Sequence, residues 1–161
     1  MKIIVLKGKA NSGKTSSLKK LMLKLLEYPD VRVIYSSKFG TKLPVELSEK
    51  INENWYTKAN NVRDITLLLN INNKKILITS MGDCLNDICN VLDNKLNRFG
   101  DINVFICGRH HNNDIETEFG SYCIETPIVI NKKRTNKENY ENSNYDTAQE
   151  LFNEVIKIVN Q

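Results

Sequence analysis

Lys2-Ile3-Ile4-Val5-Leu6-Lys7 is followed at once by Gly8-Lys9-Ala10-Asn11-Ser12-Gly13-Lys14-Thr15, and together they set the architecture to expect of this chain. The first six residues are a short apolar run rich in β-branched side chains, which reads as a buried strand. The next eight fit G-x-x-x-x-G-K-[ST], and a leucine-rich segment with helical spacing follows them to Leu26. Each residue type in that block has a chemical reason. Gly8 and Gly13 permit backbone angles that a side chain forbids, so successive N–H groups can turn inward around an anion. A helix beginning near Gly13 adds the partial positive charge of its N-terminus. Lys14 brings an ammonium to phosphate oxygens, and the Thr15 hydroxyl is a ligand for Mg²⁺. The bland alternative is a Gly/Ser/Asn turn that merely joins a strand to a helix. The strand before and the helix after are the context the phosphate-binding reading requires.

On these residues the chain resembles the P-loop NTPase superfamily, specifically over Lys2–Leu26 and only in architecture beyond. The resemblance implies a nucleoside triphosphate, ATP with Mg²⁺, cradled by Gly8, Lys9, Ala10, Asn11, Ser12, Gly13, Lys14, Thr15 and Ser16. Thr15 would serve the metal.

A length of 161 residues is one domain's worth of chain, enough for a substantial core. A net charge of +4 suits a polyanionic small ligand but falls short of a dedicated nucleic-acid binder. The cysteines Cys84, Cys89, Cys107 and Cys123 form no C-x-x-C pair, and with His110 and His111 they have no metal-ligand spacing. They read as reduced thiols of a cytoplasmic protein. No apolar run is long enough for a signal-peptide core or a membrane span.

Leu18, Leu21, Met22, Leu25 and Leu26 give Thr15–Leu26 one apolar face, expected to pack on a sheet. Val31–Tyr35 reads as a second strand reached by a β-α-β crossover. Pro44 marks the start of a short helix through Ile51. The surrounding Ser36–Asp64 segment holds Trp55, Tyr56 and the bases Lys38, Lys42, Lys50, Lys58 and Arg63. In P-loop kinases the corresponding region often covers the phosphate acceptor; an ordinary charged surface is the other reading. Asp64–Ser80 reads as a β-hairpin around an Asn/Lys-rich turn, with a helix over Ile65–Leu69 as the alternative. Its second run, Ile76–Ile78, is expected to be a central strand.

Leu85, Ile88, Leu92 and Leu96 share a helix face that Gly100 terminates. Asp83 is either the N-cap of that helix or a carboxylate serving Mg²⁺ or the attacking oxygen. A strand over Ile102–Cys107 runs into Gly108-Arg109-His110-His111, which makes Arg109 a candidate for a phosphate or acceptor contact and the histidines candidates for proton relay. Ile128–Ile130 is a last short strand. Asn131–Tyr145, with Lys132, Lys133, Arg134 and Lys137, reads as a polar loop, either a phosphate lid or a solvated segment. Asp146-Thr147-Ala148-Gln149 resembles a capping box that opens a closing helix to Val159.

The chain departs from the superfamily pattern in one place. A Walker B strand ends directly in an acid, whereas this one ends in Thr79 and Ser80 and delays its acid to Asp83. That departure disfavours motor-type ATPase activity. The lack of Asn-Lys-x-Asp and Asp-x-x-Gly disfavours a GTPase switch. A hairpin, a delayed acid and a strand ending in Gly-Arg look like small bacterial or phage P-loop proteins. The expected fold is one domain, a three-layer α/β/α sandwich of P-loop NTPase type, with a mainly parallel sheet and an added β-hairpin. The expected function is phosphoryl transfer from ATP, to a small-molecule acceptor or to water, with Lys14, Asp83 and Arg109 as catalytic residues and Thr15 and Asp83 at the metal. The alternative is a nucleotide-regulated module with little turnover, acting on a protein or nucleic-acid partner.

Overall fold

The computed structural model describes residues 1–39, 45–46, 64–82, 84–123 and 125–161. Among them, seven strands form one sheet: β1 (Lys2–Gly8), β2 (Arg32–Phe39), β3 (Val45–Glu46), β4 (Asp64–Ile71), β5 (Lys74–Thr79), β6 (Val104–His110) and β7 (Ile128–Lys132). The helices are α1 (Lys14–Leu26), α2 (Leu85–Phe99), the short α3 (Ile115–Phe119) and α4 (Tyr140–Val159), the last preceded by a 3₁₀ turn over Lys137–Asn139. The sheet order is β3-β2-β4-β5-β6-β1-β7.

Alternation along the strands builds the layers. Ile4 and Leu6 of β1, with Val104 and Ile106 of β6, face a core completed by Leu18, Leu21, Met22 and Leu25 of α1 and Ala148, Leu151 and Val155 of α4. Ile3 and Val5, with Phe105 and Cys107, face the opposite core with Ile88 and Leu92 of α2 and Ile115 and Phe119 of α3. Helices therefore cover both faces, which is why β1 reads as a continuous apolar run. Each fully buried leucine of α1 contributes about 1.5–3 kcal/mol relative to exposure.

The sheet is mixed where a mainly parallel one was expected. β5, β6, β1 and β7 run parallel, whereas β4 pairs antiparallel with both β5 and β2, and β3 antiparallel with β2. The hairpin is present, and the helix alternative over Ile65–Leu69 is not. Its turn residues Asn72 and Asn73 both have positive φ, 50° and 61°, as the tight hairpin turns that match strand twist require. The hairpin is part of the sheet's interior, since β4 separates β5 from β2. Val45 and Glu46, expected to open a helix, instead pair with β2; the rest of that expected helix lies outside the described residues.

Two boundaries move in ways that matter for the site. β6 continues through Gly108, Arg109 and His110, because these residues pair with Leu6, Lys7 and Gly8 of β1. α4 starts at Tyr140, so the polar run expected to remain a loop to Tyr145 is partly helical and the capping-box residues lie inside the helix. Its early turns are held by α1: Glu141 pairs with Lys20 at 2.9 Å, and Lys24 donates to Tyr145 Oη at 3.1 Å and Gln149 Oε1 at 2.9 Å. Gly100 ends α2 as expected, with φ 71° and its N–H on the Leu96 carbonyl. Among the described residues no helix is long and apolar enough to cross a membrane.

Candidate functional site

Adjacent strands β1 and β6 send their connections to opposite faces of the sheet, β1 into α1 on one side and β6 into α3 on the other. A crevice outside the carboxyl ends of two such strands is where open α/β sheets hold ligands. At those ends here stand the loop after β1, Gly8–Lys14, and the last residues of β6, whose Gly108, Arg109 and His110 pair with Leu6, Lys7 and Gly8. Within the loop, Asn11 (φ 55°) and Gly13 (φ 91°) are both left-handed. Gly13 is also the N-cap of α1, and no side chain caps it; the first turn carries no acid. Thirteen residues of helix thus begin with backbone N–H groups at an end that favours an anion.

Gly13 could not be replaced by a larger residue. Besides the positive φ, an added Cβ would lie 2.2 Å from Asn144 Oδ1 and 3.2 Å from Tyr140 Cζ, both on α4. At Gly8 a Cβ would meet Ser12 Oγ at 2.7 Å and the Lys132 carbonyl at 3.0 Å. The loop is therefore packed from behind by α4 and β7.

Lys14 folds back over its own loop, with Nζ donating to the Gly8 carbonyl at 3.1 Å and the Lys9 carbonyl at 2.9 Å. Thr15 Oγ1 reaches the Ser80 carbonyl at 3.4 Å, which sets the hydroxyl beside the end of β5. Lys9, Ala10 and Asn11 are exposed, and Ser16 is half-buried. Ser12 Oγ and Asn144 Nδ2 are buried and have no hydrogen-bond partner among the described residues. Leaving such a group unpaired costs about 1–3 kcal/mol, so each calls for an explanation.

Arg109 sits elsewhere than a ligand contact would need. Strand alternation puts it on the face of Phe105 and Cys107, and it is 3% exposed. Its Nε and Nη2 grip Glu118 of α3 at 2.8 and 2.6 Å, and Nη1 donates to the Gly82 carbonyl at 3.2 Å. Glu118 also accepts from Asn113 Nδ2 at 2.7 Å, and Asp114, bonded to Thr117, caps the short helix that carries Glu118. The bond to Glu118 holds the guanidinium firmly charged. This is a buried two-point clamp from β6 to α3 that also holds the segment after β5. Gly82 packs so closely there that an added Cβ would be 2.9 Å from the Gly108 carbonyl.

Asp83 lies outside the described residues, as do Lys42, Lys50, Trp55, Tyr56, Lys58 and Arg63. The N-cap of α2 is Cys84, not Asp83, so the capping expectation for Asp83 does not hold. Lys132, expected on a polar loop, is buried and donates to Ser143 Oγ at 2.7 Å and Thr147 Oγ1 at 3.0 Å. Burial lowers its pKa, partly offset by Asp146, and it is a strut between β7 and α4.

The structure adds a carboxylate to this end of the sheet that no sequence motif marks. Asp64, first residue of β4, accepts from Ser80 Oγ at 3.4 Å, and the same Ser80 oxygen accepts from the Ile65 amide at 2.8 Å. Asp64 also bears electrostatically on buried Lys19 of α1. An antiparallel strand brings its first residue to the sheet edge where parallel strands end, and no local motif signals that.

His110 is the strand neighbour of Gly8, and its ring lies 4.4 Å from that of exposed His111. Residual desolvation, then the charges of His110, Lys9, Lys7 and Lys14, push the His111 pKa below its ordinary value. The imidazole is accordingly neutral at pH 7. A polyanion in the loop would cancel the lysine charges and raise that pKa, so binding would take up a proton and strengthen as pH falls through the raised value. An NMR titration of His111 with and without magnesium triphosphate is expected to show the rise; identical curves would place the histidines away from the ligand.

The residues fit an oxyanion through loop geometry, an uncapped helix and Lys14. For Mg²⁺, Thr15 offers one hydroxyl, and among the described residues no cluster of three His, Cys, Asp or Glu side chains could hold a metal. Mg²⁺ at a phosphate site uses few protein ligands, so one hydroxyl is compatible with it. Comparison with protein-family models, curated proteins and solved structures finds no match to this chain.

Proposed function

We propose that this chain is a P-loop-type protein that binds ATP at Gly8–Ser16 and carries out phosphoryl transfer or ATP hydrolysis, in a small kinase-like domain. The observation that carries the proposal is the uncapped start of α1, wrapped by a loop with left-handed Asn11 and Gly13, at the point where β1 and β6 diverge. The parallel run β5-β6-β1-β7 supports a P-loop type of fold. Loop amides would bind the phosphates, and Lys14 would exchange its two carbonyls for phosphate oxygens. Thr15 would hold Mg²⁺, which when bound supplies charge neutralisation at the phosphates. Arg109 is a positioning residue in this scheme, steadying Gly82 ahead of Asp83. Four free thiols support a cytoplasmic location.

One feature favours the binding-module alternative: Ser80 stands where a water-activating acid would, and its hydroxyl is engaged with β4. Following γ-labelled phosphate by mass, with Mg²⁺ and a panel of nucleosides, nucleotides and small hydroxyl compounds, decides between them. The expected result is slow hydrolysis alone and faster label transfer to one acceptor. Phosphate released only to water, at a rate set by an added protein or nucleic acid, would sink the transferase reading.

A further inference from the structure

Two buried donors beside the loop lack acceptors among the described residues, while two loop carbonyls are held by the cation that a bound oxyanion would draw away. The donors are the Ser12 hydroxyl and Asn144 Nδ2, on residues 2% and 0% exposed. The carbonyls are those of Gly8 and Lys9, both on Lys14 Nζ, the Lys9 carbonyl accepting also from the Ser12 amide at 3.3 Å. Ser12 Oγ lies against Gly8, 2.7 Å from where a Cβ would stand. Asn144 lies against Gly13, and its Oδ1 accepts from Ser17 Oγ at 3.4 Å. One half of the amide is thus anchored to α1 and the other is unanswered. Sealed from solvent, neither donor can be served by bulk water. Nor can α4 back away, because Lys20 and Lys24 of α1 bond to Glu141, Tyr145 and Gln149 on it.

From this arrangement we infer that Asn144 is a positioning residue for oxyanion binding: when an oxyanion takes the Lys14 ammonium, the Gly8 and Lys9 carbonyls are released and Ser12 and Asn144 become their donors. The inference rests on the phosphate-loop reading of the same site. Its consequence is directional. As it stands the loop has two donors without acceptors among the described residues, and with an oxyanion bound both are answered, so α4, through Asn144, favours binding.

Asn144→Leu tests this, because it removes the donor at similar size while Ser17 keeps the Gly13 carbonyl as an acceptor one turn back. The free variant is expected to melt at or above the wild-type temperature, while its affinity for magnesium inorganic triphosphate, by calorimetry, falls about tenfold. A purely structural asparagine would behave differently, so a folded variant that melts lower, or binds as tightly as wild type, overturns the inference. If the variant does not fold, the wild type decides. The Asn144 side-chain amide protons, followed by NMR, are expected to exchange more slowly once triphosphate is added, and unchanged exchange overturns the inference. A wild type that binds no triphosphate ends the phosphate-loop reading and this inference with it. One that binds while Asn144 is unaffected sinks this inference alone.

Discussion

Arg109→Ala is expected to destabilise the protein by about 3–5 kcal/mol, the usual loss when one partner of a buried ion pair is removed. In a chain of 161 residues that lowers the melting temperature by roughly 6–20 °C. The side chains of Arg109 and Glu118 are only 4% and 12% exposed, so the orphaned carboxylate has little water to turn to. Arg109→Lys should rescue little, since an ammonium cannot reproduce the bonds from Nε and Nη2. Replacing both partners, as Arg109→Met with Glu118→Leu, should recover much of the loss, because no charge is stranded. Urea and thermal unfolding of the four proteins check this; a loss under about 1 kcal/mol for the alanine variant, as exposed pairs show, would mean the clamp is not held in solution.

Saturating ATP with Mg²⁺ should have an effect of similar size and opposite sign. A ligand at a hundred times its dissociation constant adds about 2.7 kcal/mol to stability. For this length the melting temperature should rise by roughly 5–11 °C. Lys14→Ala should abolish most of the rise while leaving the free protein close to wild type, because Lys14 is only half-buried and is not part of either hydrophobic core. A wild-type melting curve indifferent to millimolar ATP would end the phosphate-loop proposal.

The sequence was most readable where structure is local. The β4–β5 hairpin follows from Asn72-Asn73 between apolar runs, and the end of α2 follows from Gly100, since both depend on a few residues with special backbone angles. What could not be read was pairing across distance. That β4 lies between β5 and β2 depends on which edges meet, not on any strand's own pattern. The apolar run stops at Cys107, which puts Arg109 at a strand end. Yet its parity with Phe105 and Cys107 already assigned it to the α3 face, and only its partner Glu118 was hidden. The polarity of Tyr140–Tyr145 hides the first turns of α4. Tyr140, Asn144, Ala148, Leu151 and Val155 nevertheless keep helical spacing, and the first two are the residues against Gly13. The orphaned Ser12 and Asn144 atoms are tertiary facts with no sequence signal.

The sheet order also has a consequence for how the chain assembles. β1 emerges well before both strands that flank it, β6 and β7, which begin at Val104 and Ile128. Closing such long loops is slow compared with forming a hairpin. Throughout synthesis up to Lys132, then, Ile3–Leu6 is an apolar strand lacking its full set of neighbours, the kind of segment that invites misassociation. Lys2 and Lys7 bracket it, one charge at each end, in the manner of gatekeepers. The lysine beside the first glycine of the loop therefore has a use before any loop exists.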